Sequence, residues 1–438
     1  MSSNMPQVTP TSAAAAAGIT TGVTGGGWRA TVSPWGAIEP WAPEPVLDWH
    51  VAADDRWHSP QREPAVRQRR LEGTAVVETR VRIPDGDAVQ RVYSVPDHGG
   101  LTLIEIENVS PLPMAVAFTH GNLLSARPPT APIEGIDLPA GSVAFPVGHH
   151  ATLTVALAHD GSGPGALPTG VPTSAGVVRG WIATVERAGR LLLPDSVLAE
   201  RVMAERCELA LCGPEHPDTD PVGFLLAVGQ LVRMGEPAAP WLPDVAYALE
   251  LAAKREPHDW LLAAATDAAD HVLARVGDQR ARRDLASYRG ALRCSEALPD
   301  EAPESPAQFL AWVERTLVAS GAKGAALLPG GLPAGWAGNN FEVYGVPTSG
   351  AGSVSFAVRW HGARPAVLWE QSGEAVALSA PLLAPGWHTA QVTGEALWPQ
   401  PEGLEPVAVE RAEQLDAPVA DKPSVRPFTP PAEGGSFS

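Results

Sequence analysis

Aromatic, acidic and basic residues crowd a short stretch near the N-terminus: Trp35, Glu39, Trp41, Asp48, Trp49, His50, Asp54, Asp55, Arg56, Trp57 and His58, with Trp28 just upstream. An indole stacks on the C–H face of a sugar ring, and a neighbouring Asp, His or Arg can hydrogen-bond sugar hydroxyls. The chain has 14 Trp against 8 Phe and 4 Tyr, so this concentration stands out. Trp35, Trp41, Trp49, Asp54, Asp55, Trp57 and His58 are candidate ligand-binding residues. The competing reading is that the indoles fill a core or a domain interface, since Trp is an efficient apolar filler.

Other candidates are acidic. Glu215-His216-Pro217-Asp218-Thr219-Asp220 joins two helical patterns and could bind a cation or hold a general base. It lacks EF-hand spacing and any H-E-x-x-H, and Asp220 before Pro221 reads equally well as a helix cap. Asp259, Asp267, Asp270 and His271 lie on one helical pattern, where Asp267 and His271 share a face as an acid/base pair, a metal pair or a plain surface pair. Glu215, Asp218, Asp220, Asp259 and Asp267 are the candidate catalytic acids. His149-His150 follows a strand pattern, in which neighbours point to opposite faces and do not chelate together. Trp360-His361-Gly362 with Trp369 is either a small carbohydrate platform or core.

Bulk properties narrow the classes. A net charge of −18 argues against nucleic acid, which needs a cationic face. The basic run from Arg62 to Arg70 is short, carries Glu63, and reads as a solvated connector. Cys207, Cys212 and Cys294 make an odd set without a C-x-x-C pair, which suggests neither a disulfide framework nor zinc. Free thiols, no signal-peptide pattern and no apolar run long enough for a bilayer together give the expectation of a soluble, cytoplasmic protein. No dinucleotide, P-loop or G-x-S-x-G motif is present, so no cofactor is expected.

The elements that must position these residues come in three blocks. Residues 1–26 are small and uncharged and are expected to be disordered. Residues 27–190 carry short alternating strands split by Pro/Gly turns, the pattern of an antiparallel β-sandwich, closing with a strand from Gly180 to Arg187. Residues 195–320 turn helical. The patterns run from Asp195 or Ser196 to Leu211, Pro221 to Met234, Pro243 to Arg255, Pro257 to Val276 and Arg280 to Leu292, and a last one opens at Ser305 with a capping-box signal. Residues 324–400 return to strands, with Pro365–Glu370 and Glu374–Ser379 expected to pair through Ser372-Gly373. Residues 401–438 are Pro- and Glu-rich and are expected to be disordered.

Leu327-Leu328-Pro329, Gly331-Leu332-Pro333, Trp336, Gly338, Phe341-Glu342-Val343 and the run Ser353–Trp360 resemble the closing β-domain of glycosidases of the six-hairpin (α/α toroid) type. Leu103–Ser110 followed by Pro111–Phe118 looks like the strand, E-N-x-S turn and strand unit of their leading domain. The resemblance implies an α+β multidomain fold: β-sandwich, helical toroid, small β-sandwich. It also implies a carbohydrate partner. The helical block has room for about half of such a toroid. Two acids on toroid loops cleave the sugar link in those enzymes, and no Asp or Glu of this chain matches their motif.

Three readings follow. The leading one is a non-catalytic, glycosidase-like protein that binds a glycan or assembles with a partner in carbohydrate metabolism. The second is an active glycoside hydrolase or phosphorylase whose toroid is completed by oligomerisation. The third is a scaffold that uses its uncovered helical face to bind a second copy or another protein.

Overall fold

The computed structural model describes residues 18–401, apart from 131–132, 255–257, 292–293, 296 and 322–323. Most of the expected disordered N-terminus, the C-terminal tail, and the expected helix ends at Arg255, Pro257 and Leu292 lie outside the described residues. Among the described residues the chain is mixed α and β, with five sheets, seven α-helices and no closed barrel.

Alternating apolar residues build the N-terminal strands. A seven-stranded sheet runs in the order Gly165–Ala166, Leu124–Ser125, Thr152–Ala158, Leu101–Asn108, Gly86–Val95, Val77–Ile83, Arg67–Arg70. A four-stranded sheet runs Val143–Val147, Met114–Phe118, Trp49–Ala52, Trp57–His58. Val81, Val92, Ile104 and Val155 of the first and Trp49, Val116, Phe118 and Phe145 of the second fill one buried cluster. The turn at Asn108–Ser110 carries the chain between the two sheets. Buried Asn108 donates from Nδ2 to the carbonyls of Leu112 and Gly148 and accepts from the Ser110 backbone N–H and hydroxyl.

A three-stranded sheet, Ile19–Gly22, Arg29–Val32, Ile38–Pro40, completes this part. Its first strand corrects the expectation of disorder up to residue 26. Thr20 donates to Glu208, and Arg29 donates from both Nε and Nη2 to the Leu211 carbonyl, so the hairpin is tied to the helices.

The helices are α1 (Ser174–Val185), α2 (Ser196–Cys212), α3 (Pro221–Met234), α4 (Leu242–Ala252), α5 (Trp260–Val276), α6 (Gln279–Ala291) and α7 (Pro306–Leu317). The first of these overturns the strand expected from Gly180 to Arg187. Thr173 caps α1 by accepting from the Gly176 N–H, and Val178, Trp181 and Val185 are buried at helical spacing. Its β-branched Val177, Val178 and Ile182 imitate strand composition, and the cap and core contacts decide against it. Asp195, Asp220 and Asp259 cap α2, α3 and α5 through their side chains. Ser305 makes no side-chain cap, so the expected capping box is not formed.

Every residue of α3 except Arg233 is buried, and α3 packs against α4, α5 and α7. A helix apolar all round must sit inside. One buried cluster runs from Tyr93 and Leu103 through the helices to Phe356 and Trp398.

The C-terminal part has a five-stranded sheet, Arg190–Leu192, Phe341–Pro347, Ser353–His361, Arg364–Ser372, Thr393–Leu397. Beside it is a four-stranded sheet, Val318–Gly321, Gly324–Leu327, Leu378–Ala380, Ala384–Thr389. The expected pairing of Pro365–Glu370 with Glu374–Ser379 is not formed, because the two runs lie in different sheets. Gln371 causes the break: its side chain accepts from the Val376 N–H and donates to the Val376 carbonyl, which turns the chain away.

Candidate functional site

The N-terminal indoles separate into core and surface. Trp49 is fully buried and donates from Nε1 to the Trp35 carbonyl, so it belongs to the core and not to a binding surface. Trp28 is also buried and stacks on His159 at 4.2 Å between ring centroids. Trp41 is 46% exposed, with Nε1 donating to Thr31 Oγ1 at 2.9 Å. Trp57 is half-buried on the edge strand of the four-stranded sheet, with Nε1 donating to the Glu134 carbonyl at 2.7 Å. Trp35 is half-buried, and Asp54 and Asp55 are exposed.

His58 is buried between two carboxylates, 2.9 Å from Asp55 and 3.2 Å from Glu63. Glu63 also takes a two-pronged bond from Arg56, which holds its carboxyl below the usual range. Burial lowers the proton affinity of His50, whose Nδ1 lies 3.1 Å from the Ser59 hydroxyl. An open groove of about 260 Å³ with Pro128, Phe145 and Pro164 in its wall lies at the opposite edge of the same sheet from Trp57.

The acids scatter. Glu215 is exposed, and exposed Asp218 accepts from Tyr247 Oη at 2.6 Å. Asp220 caps α3 and accepts from Gln308 as well. Asp259 caps α5. These four do not converge with Asp267. His149 and His150 are both exposed in a turn rather than a strand, with ring centroids 6.0 Å apart. Of the C-terminal platform, Trp369 is core, buried against Trp387, whereas Trp360 is half-buried and His361 and Gly362 are exposed.

Asp267 and His271 are not a surface pair. They line a cavity of about 60 Å³ between α3, α5 and α7, together with Gln230, Arg233, Glu314 and Arg315. Asp267 bridges Arg289 at 2.5 Å and Arg315 at 2.6 Å. Glu314 receives Arg233 at 2.5 Å, Gln230 at 2.8 Å and Arg206 at 3.3 Å. Burial pushes the Asp267 carboxyl up against the pull of the two guanidiniums. Burial works the same way on Glu314, where Arg233 and Arg206 outweigh it and hold the carboxyl down. The sequence reading missed Glu314, Arg315, Arg233, Gln230 and Arg206. The available signal was in α3: a Gln and an Arg inside an otherwise apolar helix must be buried, and buried polar groups need partners.

Among the described residues no three His, Cys, Asp or Glu side chains cluster to hold a metal, and no helix is long and apolar enough to cross a membrane. No protein-family model matches the chain, and no curated protein matches it.

Proposed function

We propose that this protein is a non-catalytic, glycosidase-like binder of carbohydrate that presents the indoles of Trp41 and Trp57, with Asp54 and Asp55 as hydroxyl acceptors. One observation carries the reading. Each of the two indole N–H groups is held by a partner within the chain, while its ring still meets solvent. A ring fixed in this way stacks on a sugar with little rotamer freedom left to lose. The order of sandwich, helices and sandwich belongs to the same proposal.

The helical cavity supports the non-catalytic part. At about 60 Å³ it is far below the roughly 300 Å³ of pockets that enclose a ligand, so a sugar bond has no room beside Asp267 and Glu314. Both carboxylates are also tied to arginines. The same pair favours the second reading in one respect: their proton affinities are displaced in opposite directions, the pattern of an acid and a base. Under that reading, an active hydrolase or phosphorylase, replacing Asp267 and Glu314 abolishes turnover.

Titration with maltooligosaccharides, β-glucan oligosaccharides and trehalose, followed by Trp fluorescence, tests the proposal. The expected result is a saturable change with one class, weakened about tenfold by Trp57→Ala, as fits roughly 1.4 kcal/mol of lost stacking. An unchanged spectrum with every sugar sinks it.

A further inference from the structure

The ion pairs of the helical cavity leave three polar atoms over. Gln230 is 3% exposed and donates from Nε2 to Glu314, but its Oε1 has no partner. Thr348 is 3% exposed, and its Oγ1 has none either. His271 Nδ1 lies 3.3 Å from the Gly350 carbonyl, an acceptor, so Nδ1 carries the hydrogen. Burial, helped by Arg233 and Arg275, keeps the ring neutral by lowering its pKa to about 4. His271 Nε2 is then a bare lone pair, and it too is buried without a partner. All three side chains line the same cavity.

Gln230 Oε1 and His271 Nε2 lack donors, and the Thr348 hydroxyl can give or take a hydrogen bond. A cation is disfavoured, because four guanidiniums, Arg206, Arg233, Arg289 and Arg315, surround the two carboxylates Glu314 and Asp267. An anion would set lone pairs against lone pairs. The surplus positive charge is already met elsewhere: Arg206 donates to the carbonyls of Val185, Ala188 and Gly189 at and just past the C-terminus of α1, and Arg233 donates to Ala188. A neutral hydroxyl supplies the O–H groups at no charge cost.

We propose that this cavity binds a small neutral polyol, a vicinal diol of about ethylene glycol size, whose two hydroxyls donate to Gln230 Oε1 and His271 Nε2 and accept from the Thr348 hydroxyl. The volume of about 60 Å³ has room for roughly four water-sized groups. The site is separate from the Trp41 and Trp57 surface, and either proposal can fail alone.

The test is saturation-transfer NMR on the full chain with glycerol and ethylene glycol as probes, and ammonium chloride and sodium phosphate as competitors. The expected result is a saturable polyol signal that neither salt displaces and that falls at least fivefold in Thr348→Val and in Gln230→Met. Absence of a saturable signal means water alone fills the cavity and overturns the proposal. Displacement by phosphate or ammonium overturns it in favour of an ion site, and an unchanged signal in both variants places the polyol elsewhere. Should a variant fail to fold, the competition on the native chain still decides the matter.

Discussion

Glu314 anchors more of the helical cavity than any residue singled out from the sequence. Removing it leaves Arg206 and Arg233 buried without their carboxylate. Breaking a buried pair from one side costs about 3–5 kcal/mol, so Glu314→Ala should lose about that much in denaturant unfolding. A loss under about 1 kcal/mol would mean that the cluster is not structural. His271 makes a pH prediction. Its folded pKa of about 4 lies below the ordinary histidine value of about 6.5, so as pH falls the unfolded chain takes the proton first. Stability therefore drops from about pH 6.5 down to about pH 4, by at most roughly 3 kcal/mol from this residue. His159, half-buried and stacked on Trp28, acts in the same direction. Replacing His271 with Asn should flatten the profile in that window, and an unchanged slope would contradict the account. At this scale the sequence revealed types better than places. Asp267 and His271 share a helix face on spacing alone, but whether that face is wet or buried depends on α3 and α7 packing over it.

Elements were more legible where caps and apolar spacing agreed. Asp195 and Asp220 mark the starts of α2 and α3, and the structure uses each side chain as the cap, whereas Asp259, read as lying inside a helical pattern, is the cap of α5. Legibility failed where composition and context disagree. The β-branched residues of α1 read as a strand, and the Gln371 side chain diverts a hairpin that the Ser372-Gly373 turn signal suggests. Two glycines test the helical assignments. Gly180 sits on the exposed face of α1 with open space where a Cβ would go, so Gly180→Ala should stabilise by about 0.5–1 kcal/mol. A strand at that position would not show the gain. A Cβ on Gly229 would meet the Ala268 Cβ at 2.8 Å, where α3 crosses α5. Gly229→Val should cost about 2–3 kcal/mol in thermal or denaturant unfolding, and a neutral result would mean the helices are not in close contact.

At the scale of the molecule, the mixed α and β character was readable from the helical period after Asp195 and the return to strands after Leu317, although helix begins earlier, at α1. Sheet membership was not. Arg190–Leu192 pairs with Phe341–Pro347, far along the chain, and no local pattern announces that. The same limit explains why a binding reading could be drawn from the N-terminal indoles while their division into core and surface could not: Trp49 and Trp57 sit in adjacent strands of one sheet, yet one is fully buried and the other meets solvent. The central claim is carbohydrate binding without turnover. It is tested most directly by one incubation of the protein with maltooligosaccharides and β-glucan oligosaccharides, scored for retained sugar by ultrafiltration and for products by chromatography. The account predicts retained sugar with no new product, and loss of retention in Trp57→Ala. Product release, or no retained sugar of either class, would contradict it.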